Sequence, residues 1–168
     1  MAAGKQKDSN ANTADREIVL TRIFDATREL VWKAWTEPKH IVQWWGPRGF
    51  TTTIHEMDLR PGGIWRLTMY GPDGAECPTQ CIFREIKKPE RVAYSLSGGK
   101  LGAPAVTCEV TWTFEAQGDK TKLTLRMVFP SAEACNYNEK TYGVIEGGTQ
   151  TLDRLGEYLA KALPVDAD

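Results

Sequence analysis

The spacing of apolar side chains changes period along the chain, and each change marks a new kind of element. Residues 16–25 alternate Ile18, Leu20 and Phe24 against Val19, Thr21 and Ile23, which predicts a first strand with apolar character on both faces. From Thr27 the period lengthens: Val31, Ala34 and Trp35, then Ile41, Trp44 and Trp45, recur at three- and four-residue steps. Thr36 as a cap and Pro38 in a first turn divide this stretch into two short helices, which stop at Gly46-Pro47. Period two then returns over 50–59, 63–70, 75–87, 91–97, 105–116 and 120–129. Arg60-Pro61-Gly62-Gly63, Gly71-Pro72-Asp73-Gly74, Lys87-Lys88-Pro89-Glu90 and Gln117-Gly118-Asp119 supply turns between these six strands. Cys108, Val110, Trp112 and Phe114 share one face, as do Leu123, Leu125, Met127 and Phe129, so one side of the sheet is apolar and the other wet.

Something must cover the apolar side, and the remaining long helical stripe runs over 139–163 through Tyr142, Ile145, Thr149, Leu152, Leu155, Leu159 and Leu163. Gly147 and Gly148 inside it each cost about 1 kcal/mol against Ala, so a bend or a close backbone approach is expected there. The resulting order predicts an α+β fold in which a curved seven-stranded antiparallel sheet wraps a long C-terminal helix. A sheet curved around one helix leaves a gap, and that gap is the natural ligand cavity. Trp65, Leu67, Met69, Tyr94, Trp112 and Met127 are expected to line it from the sheet, with Tyr142 and Ile145 facing them from the helix. His55 is placed at its polar rim, Glu146 beside the two glycines as a half-buried carboxylate, and the 130–138 segment as a loop capping its mouth.

Composition narrows the partners. The 168 residues fit one domain, read as 15–164 between a polar leader at 1–14 and a short tail at 165–168. Lys and Arg number 21 against 22 Asp and Glu, a formal charge of −1, which offers no basic excess for nucleic acid or anionic lipid. No run of 18 apolar residues and no apolar secretory segment occurs, so the expectation is a cytoplasmic protein, not inserted in a membrane, monomeric or weakly dimeric. The four Cys read as reduced packing residues: Cys77 and Cys81 on one extended strand lie about 13 Å apart, too far for a disulfide or a shared metal. His40 and His55 complete no ligand spacing, so neither metal nor cofactor is expected.

Six Trp are many for this length, and Trp32, Trp35, Trp44 and Trp45 crowd one short stretch. Their helical spacing favours core packing over a binding surface, with Trp44 or Trp45 the nearer to a ligand if one is reached. Catalysis finds little support: alternation turns Glu56 and Asp58 away from His55, so no adjacent carboxylate orients that imidazole. Glu56, Asp58, Arg66, Arg84 and Glu109 read as ion pairs on the wet face.

The stretch Val31-Trp32-Lys33-Ala34-Trp35-Thr36, then Trp44-Trp45-Gly46-Pro47-Arg48-Gly49-Phe50, is more specific than any of these patterns. Together with Asp58-Leu59-Arg60-Pro61-Gly62-Gly63 and Met69-Tyr70-Gly71-Pro72-Asp73-Gly74, it resembles homologues of the activator of the heat-shock protein 90 ATPase. These are helix-grip domains of the START-related, birch-pollen-allergen-like (SRPBCC) superfamily. The resemblance covers about 16–163 and implies the same seven-stranded sheet gripping a C-terminal helix. It implies no reaction. Family members often carry Trp where this chain has Thr149, a smaller polar residue expected to enlarge or wet the cavity. A chaperone partner, or a stress-response interaction role, is implied only weakly, because the eponymous activators also use a separate N-terminal domain that 168 residues do not accommodate. Three functions follow as expectations: non-catalytic binding of an apolar or aromatic small molecule, a polyketide cyclase or aromatase using His55 or Glu146, and a cochaperone module.

Overall fold

The alternating segment after the leader forms β1 (Glu17–Phe24), and its return to helical spacing forms α1 (Arg28–Thr36) and α2 (Pro38–Ile41). A computed structural model describes residues 13–161, so most of the proposed leader and the tail at 165–168 lie outside the described residues. Six strands follow: β2 (Thr51–Met57), β3 (Ile64–Tyr70), β4 (Glu76–Lys87), β5 (Arg91–Gly98), β6 (Val106–Gln117) and β7 (Lys120–Val128). Two helices, α3 (Ala132–Tyr142) and α4 (Val144–Lys161), end the described chain. The sheet order is β1-β7-β6-β5-β4-β3-β2, every pair antiparallel, so strands two to seven are a meander and the first strand closes onto the last.

Local chemistry accounts for the helix ends. The Thr27 side chain accepts from the Leu30 amide at 3.4 Å and starts α1. Thr36 ends that helix instead of capping the next, its hydroxyl donating to the Trp32 carbonyl at 2.8 Å, and Glu37 takes the cap position before Pro38. The long helical stripe is two helices, not one. Gly143 takes the left-handed conformation at φ 61°, which closes α3 and turns the chain. The Glu139 carboxylate then accepts from the Ile145 amide at 2.8 Å, satisfying a donor in the first turn of α4. The helix break therefore lies four residues before Gly147, and the segment expected to be a capping loop is α3, begun by Ser131, whose hydroxyl accepts from the Ala134 amide.

The core sits on the concave face of the sheet. Trp35 is fully buried, with ring centroids 5.4 Å from Trp65, 5.7 Å from Trp112 and 5.8 Å from Trp45. Such tilted and edge-on pairs contribute about 0.5–1.5 kcal/mol each beyond the area they bury. The Trp44 indole donates to the Ala34 carbonyl at 3.1 Å, so that buried N–H is satisfied. Trp32, Trp35 and Trp44 are thus packing residues that fix α1 and the turn after α2 beneath the sheet.

Gly147 and Gly148 do different work in a continuous helix. A Cβ on Gly148 would come within 2.5 Å of Leu20 Cδ1 on β1, whereas one on Gly147 meets only Pro47 Cγ at 3.4 Å. The close approach expected of the pair is present, at Gly148. Helix propensity alone favours Ala at both positions by about 1 kcal/mol. Gly147→Ala is therefore expected to raise stability by roughly 0.5–1 kcal/mol, and Gly148→Ala to gain less, because the tip of the Leu20 side chain must turn aside. Urea denaturation of both variants checks the order; a larger gain from Gly148→Ala than from Gly147→Ala would contradict the close approach of α4 to Leu20.

Candidate functional site: a cavity beneath the last two helices

The apolar alternation of β3, β5, β6 and β7 points a continuous set of side chains at α4, and α4 does not fill the space over them. The gap has two lobes with common walls: Pro47, Met69, Leu96, Met127, Tyr142 and Val144 line both. The first lobe, about 220 Å³, is completed by Trp45, Tyr94, Trp112 and Thr151 among others. The second, about 280 Å³, extends past Cys77, Cys108 and Val106 towards the β5–β6 connection, with Asn138 of α3 on its wall and Lys100 at its rim. Together they approach the size and apolar character of a small-molecule site.

Both sheet edges are tied to α4, and these ties hold the roof over the gap. On the β1 side Arg22 pairs with Asp153 at 2.7 Å. On the other side the Arg154 guanidinium enters a cage of backbone carbonyls in the segment leading to β2. It donates to Gly46 at 2.8 Å and Pro47 at 3.1 Å, with longer contacts of 3.4 Å to Trp45, Phe50 and Gln43. Five N–H donors in a planar fork suit this task. Burial, and then the charge of Arg48, lower the Arg154 pKa from its ordinary value. Arg48 adds an exposed second tie, with its two terminal nitrogens 3.1 and 2.6 Å from the Glu157 carboxylate. Trp45, Gly46 and Pro47 are thereby held as a wall of the first lobe.

The cavity chemistry is neutral and weakly polar. Tyr94, fully enclosed, accepts from the Trp112 indole at 3.1 Å, and desolvation raises its pKa well above the ordinary value, so its hydroxyl stays protonated. Burial pushes the Cys108 thiol up to about 12 and the Cys81 thiol higher still, so neither is a nucleophile near neutral pH. All four cysteines are free, and among the described residues no group of three or more His, Cys, Asp or Glu converges on a point.

Of the side chains expected at the cavity, the structure brings together Met69, Tyr94, Trp112, Met127 and Tyr142. Trp65 is fully buried but stacked on Phe83, outside the lining, and Leu67 is buried on β3 away from both lobes. His55, Ile145, Glu146 and Thr149 also lie elsewhere than expected. His55 is exposed on the outer face, 2.9 Å from the Thr68 hydroxyl. A register shift between Ile54 and Glu56 makes it the extra residue of a bulge, so it and Glu56 both lie outside, contrary to simple alternation. Ile145 is 45% exposed, and Glu146 is exposed with its carboxylate accepting from Gln150, because Val144, Gly147, Gly148 and Thr151 take the cavity-facing side of α4. Thr149 likewise neither enlarges nor wets the cavity, since its hydroxyl returns to the Ile145 carbonyl at 2.8 Å; Thr151 occupies the lining instead. The expected wet-face pairs are present as Arg66–Glu56 and Arg60–Asp58, while Ser95 joins Arg84 to Glu109.

Leu96, Val144 and Asn138 line the cavity without having been singled out. Leu96 follows Tyr94 by two on β5 and was legible by alternation, whereas Asn138 was hidden because its segment resembles a loop.

With this geometry in view, the comparisons with known proteins become specific. Residues 25–160 match the family described as Activator of Hsp90 ATPase homolog 1-like protein. The chain belongs to this family. Solved structures share its fold over nearly the whole length. A Mycobacterium smegmatis protein is 24% identical, with a TM-score of 0.78 over 88% of this chain and 93% of that one. An Arthrobacter aurescens protein is 22% identical, with a TM-score of 0.80 over 89% of this chain and 88% of that one. The AHSA1 protein of Silicibacter pomeroyi is 22% identical, with a TM-score of 0.69 over 86% of this chain and 97% of that one. At these identities the likeness carries the fold alone. No curated protein matches the chain. Among the described residues, no helix of this family member is long and apolar enough to cross a membrane.

Two outcomes follow from the site's construction. Arg154→Met is expected to destabilise the protein by about 2–3 kcal/mol, because carbonyls that accepted from a charged donor lose it, and to speed amide exchange over 46–50. Hydrogen exchange alongside urea denaturation checks this; an unchanged loop would mean that the cage does not hold the wall. Iodoacetamide at pH 8 should alkylate half-buried Cys77 ahead of Cys81 and Cys108 in the native protein. Equal rates for the three, read by mass spectrometry, would contradict a closed cavity floor.

Proposed function

We propose that this protein binds an apolar, aromatic small molecule non-catalytically in the two-lobed cavity between the sheet and its last two helices. The observation that carries the reading is the unfilled apolar trough itself, walled by Trp45, Trp112, Met69 and Met127 in a protein whose other tryptophans are packed tightly. Folding leaves such a space at a cost, since atoms lining a void forgo contacts. A ligand supplies those contacts.

The alternatives lack comparable support. A cyclase or aromatase needs an acid or base within the cavity, and the side chains assigned to that task, His55 and Glu146, are exposed. A chaperone partner needs a continuous apolar face. Among the described residues, the large exposed apolar side chains, Val19, Ile23, Tyr70, Leu101, Tyr137 and Ile145, are divided among β1, β3, the β5–β6 connection, α3 and α4.

A titration with N-phenyl-1-naphthylamine, whose emission rises in apolar surroundings, tests the reading. Saturable binding is expected, weakened at least about tenfold by Gly147→Leu, whose side chain projects from α4 into the first lobe while favouring the helix. Absence of saturation in the native protein, or equal binding by the variant at retained stability, would overturn it.

A further inference from the structure

Two wall residues of the second lobe each carry a buried polar atom that the fold leaves without a partner. Asn138, 4% exposed, uses its amide nitrogen to donate to the Ala134 carbonyl at 2.8 Å, while its side-chain oxygen has no hydrogen-bond partner. The Tyr142 hydroxyl is likewise buried and unpartnered. The two residues are four apart on α3, which places them on one helix face with their Cβ atoms about 5–6 Å apart. Both are wall residues of the same lobe. Other buried donors also go unpaired, among them the indole nitrogens of Trp35 and Trp65 in the packed core, but Asn138 and Tyr142 share one wall of an apolar cavity, and that shared wall points to a ligand.

We propose that Asn138 and Tyr142 form a hydroxyl-recognition subsite, so that the ligand is an apolar ring system bearing a neutral hydroxyl. The proposal rests on the cavity-binding reading above and specifies its chemistry. The Asn138 oxygen only accepts, so its partner must donate, which excludes ethers, ketones and carboxylates as that partner. An ammonium would donate, but among the described residues the one charged side chain lining this lobe is Lys100, which repels it and leaves its desolvation uncompensated. A hydroxyl satisfies both atoms, donating to Asn138 and accepting from Tyr142. Burial, with smaller effects of Tyr137 and Cys77, raises the Tyr142 pKa, so the phenol remains a donor across the neutral range. Both atoms are covered from solvent, and the Tyr142 ring is a wall common to the two lobes. The subsite therefore requires the Tyr142 side chain to move aside as the ligand enters.

Calorimetric titration at pH 7 with naphthalene, 2-naphthol, 2-methoxynaphthalene and 2-naphthoate distinguishes the possibilities. The native protein is expected to bind 2-naphthol about tenfold tighter than naphthalene, with 2-methoxynaphthalene no tighter than naphthalene. Tyr142→Phe, which removes one oxygen, should reduce the ratio of 2-naphthol to naphthalene affinity to about threefold or less, and Asn138→Leu should do the same. Equal binding of naphthalene and 2-naphthol, a methoxy derivative as tight as the phenol, or an unchanged preference in Tyr142→Phe would overturn the subsite while leaving the cavity reading intact. Tightest binding of 2-naphthoate would assign head-group recognition to Lys100 instead. Failure of all four to bind would remove the cavity reading and the subsite with it.

Discussion

The guanidinium of Arg154 joins two parts of the molecule that the sheet alone would leave apart. The sheet is open, with β1 and β2 at its edges, and α4 spans the distance between them. At the β1 edge the helix approaches Leu20 at Gly148 and pairs Asp153 with Arg22; towards the β2 edge, Arg154 gathers the carbonyls of the 43–50 segment. A carbonyl cage suits an arginine that is partly withdrawn from water, because its two terminal nitrogens find neutral acceptors without a second buried charge. Once α4 is fixed at both edges, its height above the sheet is no longer free to adjust to the side chains beneath it. The cavity is the geometric result.

That constraint divides the tryptophans. Under α1 the rings of Trp32, Trp35 and Trp44 close against the sheet, where nothing holds the helix away from them. Trp45 stands at the limit of this packing, 5.7 Å from Trp112, with one side in the aromatic cluster and the other on the first lobe. The aromatic wall is thus rigidly backed, which suits recognition of a flat ring system with little ordering on binding.

Much of this was legible before any coordinates. Period-two runs and turn chemistry located all seven strands, because alternating burial on a one-sided sheet imprints the sequence directly. The same alternation identified Met69, Tyr94, Trp112 and Met127 as inward residues. Two kinds of event escaped it. The bulge at His55 adds one residue to a strand, and every inference about faces near it reverses. The break at Gly143 lies within an unbroken helical stripe, since α3 and α4 both present apolar residues to the same sheet; periodicity reads one helix where a single left-handed glycine makes two. That error concealed Asn138, whose importance follows from where α3 lies and not from its neighbours in sequence.

The proposed ligand occupies the space between the tryptophan wall and α4. The indole N–H resonances of the six tryptophans offer the most direct test. Addition of 2-naphthol to nitrogen-15-labelled protein is predicted to shift the Trp45 and Trp112 indole signals in a saturable manner and to leave that of Trp32, on the far side of the packed core, in place. Saturable shifts confined to the outer face around His55 and Arg66, or no shift at Trp45 and Trp112 at saturating ligand, would contradict it.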